Sequence, residues 1–362
     1  MTPLAKRHPY VGLPDYQFWK NEPGITDPAL FDPINTTSFS IDPRDAIVTA
    51  GSCFAQHVAR YLSASGFNFL VTEKCHPIFP AEVAAANNFN IFSARYGNIY
   101  TVRQLKQLIL RAYGEFEPAE HAWKRSDGCF LDPFRPQIHR GGYVNVQELE
   151  ADRASHLRAV REAFEQMAVF VFTLGLTETW FDRRDGAVFP LAPGVVGGVY
   201  DPERFAFQNF TVSEVADDLQ WCIDRIRTLN PRCRFIVTVS PVPLNATAVD
   251  RHVVLSTTLS KSVLRVAAEQ VCGANEQCDY FPSFEIITSS LTRGRYFGPD
   301  CREISEEGVN HVMGVFMKHY AGVSLAPTSP VIAKEDTVSD HHIENMQNLI
   351  QVLCDEEAIG NR

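Results

Sequence analysis

Apolar and polar positions follow two rhythms along this chain. Short runs that are apolar at nearly every position, "AIVTAG" (46–51), "AVFVFTLG" (168–175) and "RFIVTVS" (234–240), suit strands buried on both faces of a sheet. Longer stretches carry the helical period. In "CFAQHVARYLSASG" the apolar residues fall at 54, 55, 58, 59, 61 and 62, with Gly66 placed as a C-terminal stop. The same period predicts helices over 149–167, over 214–229 with Ser213 as cap, over 252–271, and over 306–320 with Ser305 as cap. "FNFLV" (67–71) and "YFPSFEII" (280–287) read as further strands. Strands alternating with helices predict a parallel sheet covered on both faces, with ligands at the carboxyl ends of its strands.

Three stretches break this rhythm. Residues 1–45 are rich in Pro, Asp and aromatics and read as an irregular arm. Residues 73–147 lack strand periodicity and read as an insertion forming a wall of the site. Residues 325–362 read as a linker and a C-terminal helix. The predicted organisation is therefore an arm (1–45), an α/β domain (46–324) that includes the insertion, and a tail (325–362).

Charge narrows the partners. A net charge of -10 disfavours nucleic acid and anionic membranes, which both want a basic face. No run approaches the ~20 apolar residues of a spanning helix, and the opening "MTPLAKRHPY" has no signal-like apolar core. Nine scattered cysteines without a C-x-x-C suit reduced thiols in a cytoplasmic protein and give no metal signature. No cofactor motif is present, and oligomeric state is not readable.

Candidate chemistry concentrates at the joint between "AIVTAG" and the first helix. A side chain there stands at a strand's carboxyl end and at a helix start, where backbone N–H groups and partial positive charge favour an oxyanion. Ser52 fits an acyl-transfer nucleophile. Two simpler readings stand beside it: Ser52 as a helix cap with Cys53 in the core, or Cys53 as a thiol nucleophile at a helix start. Gly51 permits close backbone approach.

The string "AGSCFAQHVARYL" resembles the GSCFA family, and "ARYGNIYT" (94–101), "DPFRP" (132–136), "TLGLTETW" (173–180), "SPVPL" (240–244), "SKSVLR" (260–265), "YFPSFEII" (280–287) and "GVNHVM" (308–313) continue the resemblance in order. That family is similar to the SGNH or GDSL hydrolases. The resemblance implies a flavodoxin-like three-layer α/β/α sandwich and a serine esterase or O-acyltransferase acting on an acylated, saccharide-like substrate. It places the nucleophile at Ser52. Oxyanion donors are then the Ser52 N–H, Gly97, and either Thr177 or Asn98; the usual Gly-x-Asn-Asp block stands here as Gly175-Leu176-Thr177-Glu178. The usual Asp-x-x-His is replaced by Asp300-Cys301-Arg302-Glu303, so the nearest histidine is His311 in the following helix. His311 is the expected base, oriented by Asp300 or by Glu307 one turn away; a buried structural histidine is the alternative.

Other residues have two readings each. Glu178 is an acid near the pocket or an ion-pair partner of Arg135. Lys261 in "STTLSKSVLR" is an anion-binding group or part of a polar helix start. Arg135 and Arg140 could hold an acidic sugar or a phosphate, and Trp123, Tyr143 and Trp180 could stack on a sugar ring; ordinary solvation and packing are the alternatives. His57, His76 and His139 are displaced-base candidates. The missing Asp-x-x-His also leaves open a different class: a non-catalytic protein binding a glycan or acyl ligand on a degenerate hydrolase scaffold.

Overall fold

The computed structural model describes residues 8–322 and 354–360. In chain order the elements are β1 (Ile47–Gly51), α1 (Phe54–Ala64), α2 (Ala81–Ala86), α3 (Val102–Ala112), β2 (Trp123–Lys124), β3 (Phe130–Leu131), α4 (Val146–Gln166), β4 (Val169–Leu174), β5 (Glu178–Asp182), β6 (Val188–Phe189), β7 (Phe205–Asn209), α5 (Val212–Leu229), β8 (Arg234–Val239), α6 (Val253–Ala274), β9 (Cys278–Phe281), α7 (Ser283–Thr288) and α8 (Glu306–Tyr320). Short 3₁₀ turns line the arm, and another forms Asp355–Gly360.

The central sheet is parallel, in the order β1-β4-β8-β9. Phe69 adds a parallel bridge to Ile47 outside β1, so the chain crosses the sheet in the flavodoxin-like order. The expected strand at 67–71 is reduced to that bridge. Successive residues feed opposite faces, as strand geometry requires. Val48, Ala50, Phe170, Phe172, Phe235 and Val237 pack in one core with α3, α4, α5 and α6. Ile47, Val169, Val171 and Ile236 pack in the other, with α1, α7 and α8 and with Phe31 and Ile41 of the arm. The fold is a three-layer α/β/α sandwich.

Local chemistry moved several boundaries. Thr211, not Ser213, caps α5 in a capping box with Glu214. Asn145 caps α4, which begins at Val146, three residues before the predicted start. Ser305 caps α8 as predicted, accepting from Gly308 N. The strand read over 280–287 ends at Phe281, because Pro282 lacks the N–H a ladder needs and Ser283–Thr288 turns into α7. Two features gave no sequence signal. One is the antiparallel sheet β6-β5-β7. The other is α3, a helix within 73–147 that packs into the main core. Most of the expected tail helix lies outside the described residues.

Candidate active site

The sheet order reverses direction between β1 and β4, and there the crevice for a ligand opens at the strands' carboxyl ends. Ser52 is the residue after β1 on this crevice. It is 3 % exposed, and its Oγ has no hydrogen-bond partner among the described residues. The approach is forced by two glycines. At Gly51 (φ +132°) an added Cβ would lie 2.2 Å from the Thr173 carbonyl oxygen. At Gly175 a Cβ would lie 3.0 Å from Ser52 Cβ and 2.9 Å from the Tyr100 carbonyl oxygen. Ser52 is thus pressed between β4 and the 97–100 segment, just ahead of the start of α1, where the Ser52 carbonyl accepts from Ala55 N at 2.9 Å.

The cavity in front of Ser52 is small, about 10 Å³, and is lined by Cys53, Tyr100, Gly175, Leu176, Lys261 and Glu356, among others. Lys261 is 3 % exposed, and its Nζ donates to the Gly175 carbonyl at 2.6 Å. Burial lowers its pKa to about 8, against the pull of the Glu356 carboxylate, which holds the proton on. The Cys53 thiol is driven far above its ordinary pKa, first by its hydrogen bond with Cys354 and then by burial.

The expected oxyanion donors are committed elsewhere. Ser52 N donates to Thr173 O at 3.1 Å, within the β-ladder. Thr177 gives its N–H to Ser260 Oγ (3.0 Å) and its hydroxyl to Asn209 Oδ1 (2.6 Å). Gly97 turns the chain at φ +70° beside Arg135. Asn98 lines a neighbouring pocket with Tyr96 and Arg135; its Oδ1 accepts from Gln56 (3.0 Å), and its Nδ2 donates to the Asp355 carboxylate (2.8 Å).

The expected triad partners do not gather at Ser52. His311 sits on the α8 face turned to the arm, its Nδ1 2.7 Å from the Tyr296 hydroxyl, and burial lowers its pKa. Glu307 pairs with Arg295 at 2.5 Å, and Asp300 accepts the Arg302 and Glu303 N–H groups in a tight turn. Glu178 accepts from Thr247 Oγ1 (2.7 Å) and Ala248 N (3.2 Å) instead of meeting Arg135. Arg135 is buried among Asp132, Asp152 and Glu73 in a structural ion-pair network with Arg95. Half-buried His57 lies against Phe54, and burial pushes its pKa to about 4; exposed His76 accepts from Ile78 N; His139 stacks on Tyr143. Trp123 and Tyr143 are buried in packing, and Trp180 packs on Tyr200 and Phe207.

The sequence reading missed two contributors. Tyr100 meets Asp355 twice: its oxygen accepts the Asp355 N–H at 2.9 Å, and its hydroxyl donates to the carboxylate at 3.4 Å. The tail reaches back so that Asp355 and Glu356 are buried against the crevice. The only sequence signal for that return was "CDEEAIG", an acidic and partly apolar string after a long polar stretch.

The protein is an α/β/α sandwich with a buried serine after its first strand, at the switch point of a parallel sheet. The GSCFA family model matches residues 46–316, and the chain belongs to that family. No curated protein sequence matches. A solved structure, described as a Clostridium thermocellum family 3 carbohydrate esterase, is similar at 11% identity, covering 77% of this chain and 96% of that one, with a TM-score of 0.26.

Proposed function

We propose that the protein is a serine ester hydrolase or acyltransferase acting on an O-acylated, saccharide-like substrate. The observation that carries this reading is Ser52: a hydroxyl buried without a partner among the described residues, at the ligand end of the sheet, in one pocket with Lys261. A buried hydroxyl left unsatisfied is costly, of order 1–3 kcal/mol, so its retention wants a reason beyond packing. Ser52 Oγ attacks the acyl carbonyl and forms the acyl-enzyme. Lys261, neutral in an appreciable fraction near pH 8, takes the serine proton and returns it to the leaving alcohol. The backbone N–H groups of Cys53 and Phe54, at the start of α1, then stand as donors to the oxyanion. Water or a second alcohol releases the acyl group. His311, with Asp300 or Glu307, is the rival base and requires rotation away from Tyr296.

Labelling with a fluorophosphonate tests the reading. Wild type should label and Ser52→Ala should not. Absence of labelling in folded wild type would favour the alternative class, a binding protein on this scaffold, which the lack of an imidazole partner for Ser52 among the described residues also supports.

A further inference from the structure

The acidic tail lies where a ligand of the Ser52 crevice would lie. Asp355 is 3 % exposed, and its carboxylate rests on Asn98 Nδ2 and the Tyr100 hydroxyl. Glu356 is 8 % exposed; its carboxylate meets Arg302 at 3.1 Å, while its backbone carbonyl accepts from Asn245 Nδ2 at 2.7 Å. Glu356 also closes the pocket that contains Ser52 and Lys261. Two neighbouring carboxylates of one short segment therefore occupy two separate polar seats beside the candidate nucleophile.

Burying two acids of like charge side by side is unfavourable unless each finds donors. The donors are built into the body: Asn98 and Tyr100 are buried at 2 % and 3 % exposure, and Arg302 comes from the turn where the family resemblance leads one to expect a histidine. Among the contacts described here, Glu356 is the side chain that Arg302 pairs with ionically. A cationic seat in place of a general base changes what the crevice attracts.

We propose that Asn98, Tyr100 and Arg302 form a subsite for a carboxylate-bearing ligand, and that Asp355 and Glu356 of the chain's own tail occupy it as an internal competitor. The subsite rests on the proposed function only for its place beside Ser52. In the catalytic setting it makes the substrate an ester of an acidic sugar, and it makes the docked tail a block on that substrate.

The test uses the full-length chain, D-glucuronate as the acidic probe and D-glucose as the uncharged control, with binding read by calorimetry at pH 7.5. Two variants empty the seats by different routes: Asp355→Ala with Glu356→Ala, and Asn245→Ala, which releases the tail's backbone and leaves its carboxylates in place. Thermal melts establish that each is folded. At least one folded variant should bind glucuronate tenfold or more tighter than wild type, and adding Arg302→Ala should abolish the gain. Equal affinity in wild type and variants overturns the competition. Equal binding of glucose overturns the ligand class. No glucuronate binding in any form overturns the subsite. Fluorophosphonate labelling of the same samples keeps the two readings apart: labelling without glucuronate binding leaves the serine chemistry standing, and binding without labelling leaves the subsite standing.

Discussion

Two adjacent nucleophile-bearing residues, Ser52 and Cys53, meet different environments. The Ser52 hydroxyl has no partner among the described residues, whereas the Cys53 thiol is held by Cys354 and kept protonated by that contact and by burial. A thiol so held is a poor nucleophile, since the thiolate is the reactive form. Iodoacetamide should therefore modify exposed Cys301 well before Cys53, and Cys53→Ala should retain most fluorophosphonate labelling. Peptide mapping of alkylation sites checks the first; early labelling of Cys53 would point to a thiol enzyme. The base is decided by pH. Lys261 must lose its proton to act, so the rate on an activated ester should rise with pH and level off above its pKa of about 8. Lys261→Met should remove that limb and lower kcat by about a hundredfold or more, while His311→Gln should keep both. A limb lost instead with His311→Gln would return the role to the histidine, and would require that its contact with Tyr296 break during turnover.

At the scale of elements, backbone geometry sets the joint, and glycine substitutions read it out. At Gly51 any side chain meets the Thr173 backbone, which cannot move without breaking the β1–β4 ladder. Gly51→Ala should cost more than about 4 kcal/mol in denaturant unfolding. Gly314, inside α8 with nothing within 4 Å of an added Cβ, should behave oppositely: Gly314→Ala should add about 0.5–1 kcal/mol, because alanine loses less backbone freedom in a helix. A destabilised Gly314→Ala would show that α8 needs a glycine for some other reason. These elements were legible where one physical signal dominates. The continuous apolar runs of β1, β4 and β8 fixed the sheet, and the Ser305 cap fixed the start of α8. The small β5–β7 sheet was not legible, because its strands are short and half-exposed and their pairing is set by contacts across 178–209. The position of Ser52, between β1 and α1, was readable from its joint. Thr177 misled because a hydroxyl at a plausible position says nothing about which acceptor wins its single proton, and Asn209 takes it.

At the scale of the whole molecule, the tail couples the far end of the sequence to the first strand of the sheet, and that coupling is linked to pH. Asp355 is buried on the Asn98 amide and the Tyr100 hydroxyl, with the Glu356 carboxylate beside it and no cation paired to it among the described contacts. Burial is the largest cause that raises its pKa, from 3.8 to about 6. The sign follows directly. A carboxyl whose pKa is higher when docked takes up a proton on docking. Its docking is unpenalised below pH 3.8 and carries the full penalty once pH has passed about 6. Two pKa units correspond to about 3 kcal/mol, a large share of the net stability of an ordinary domain. Glu356 is raised in the same direction by burial, opposed by Arg302 and Lys261, so the two acids act together. The docked tail should therefore hold more tightly at pH 5 than at pH 7.5. Asp355→Asn keeps an acceptor for Asn98 but has no charge to bury. Between pH 5 and 7.5 the thermal midpoint of wild type should fall relative to Asp355→Asn, and the gap should follow a single group titrating near pH 6. Parallel curves for the two proteins would mean that Asp355 is not buried as an ionisable acid, and that the tail is held by its Arg302 and Asn245 contacts alone.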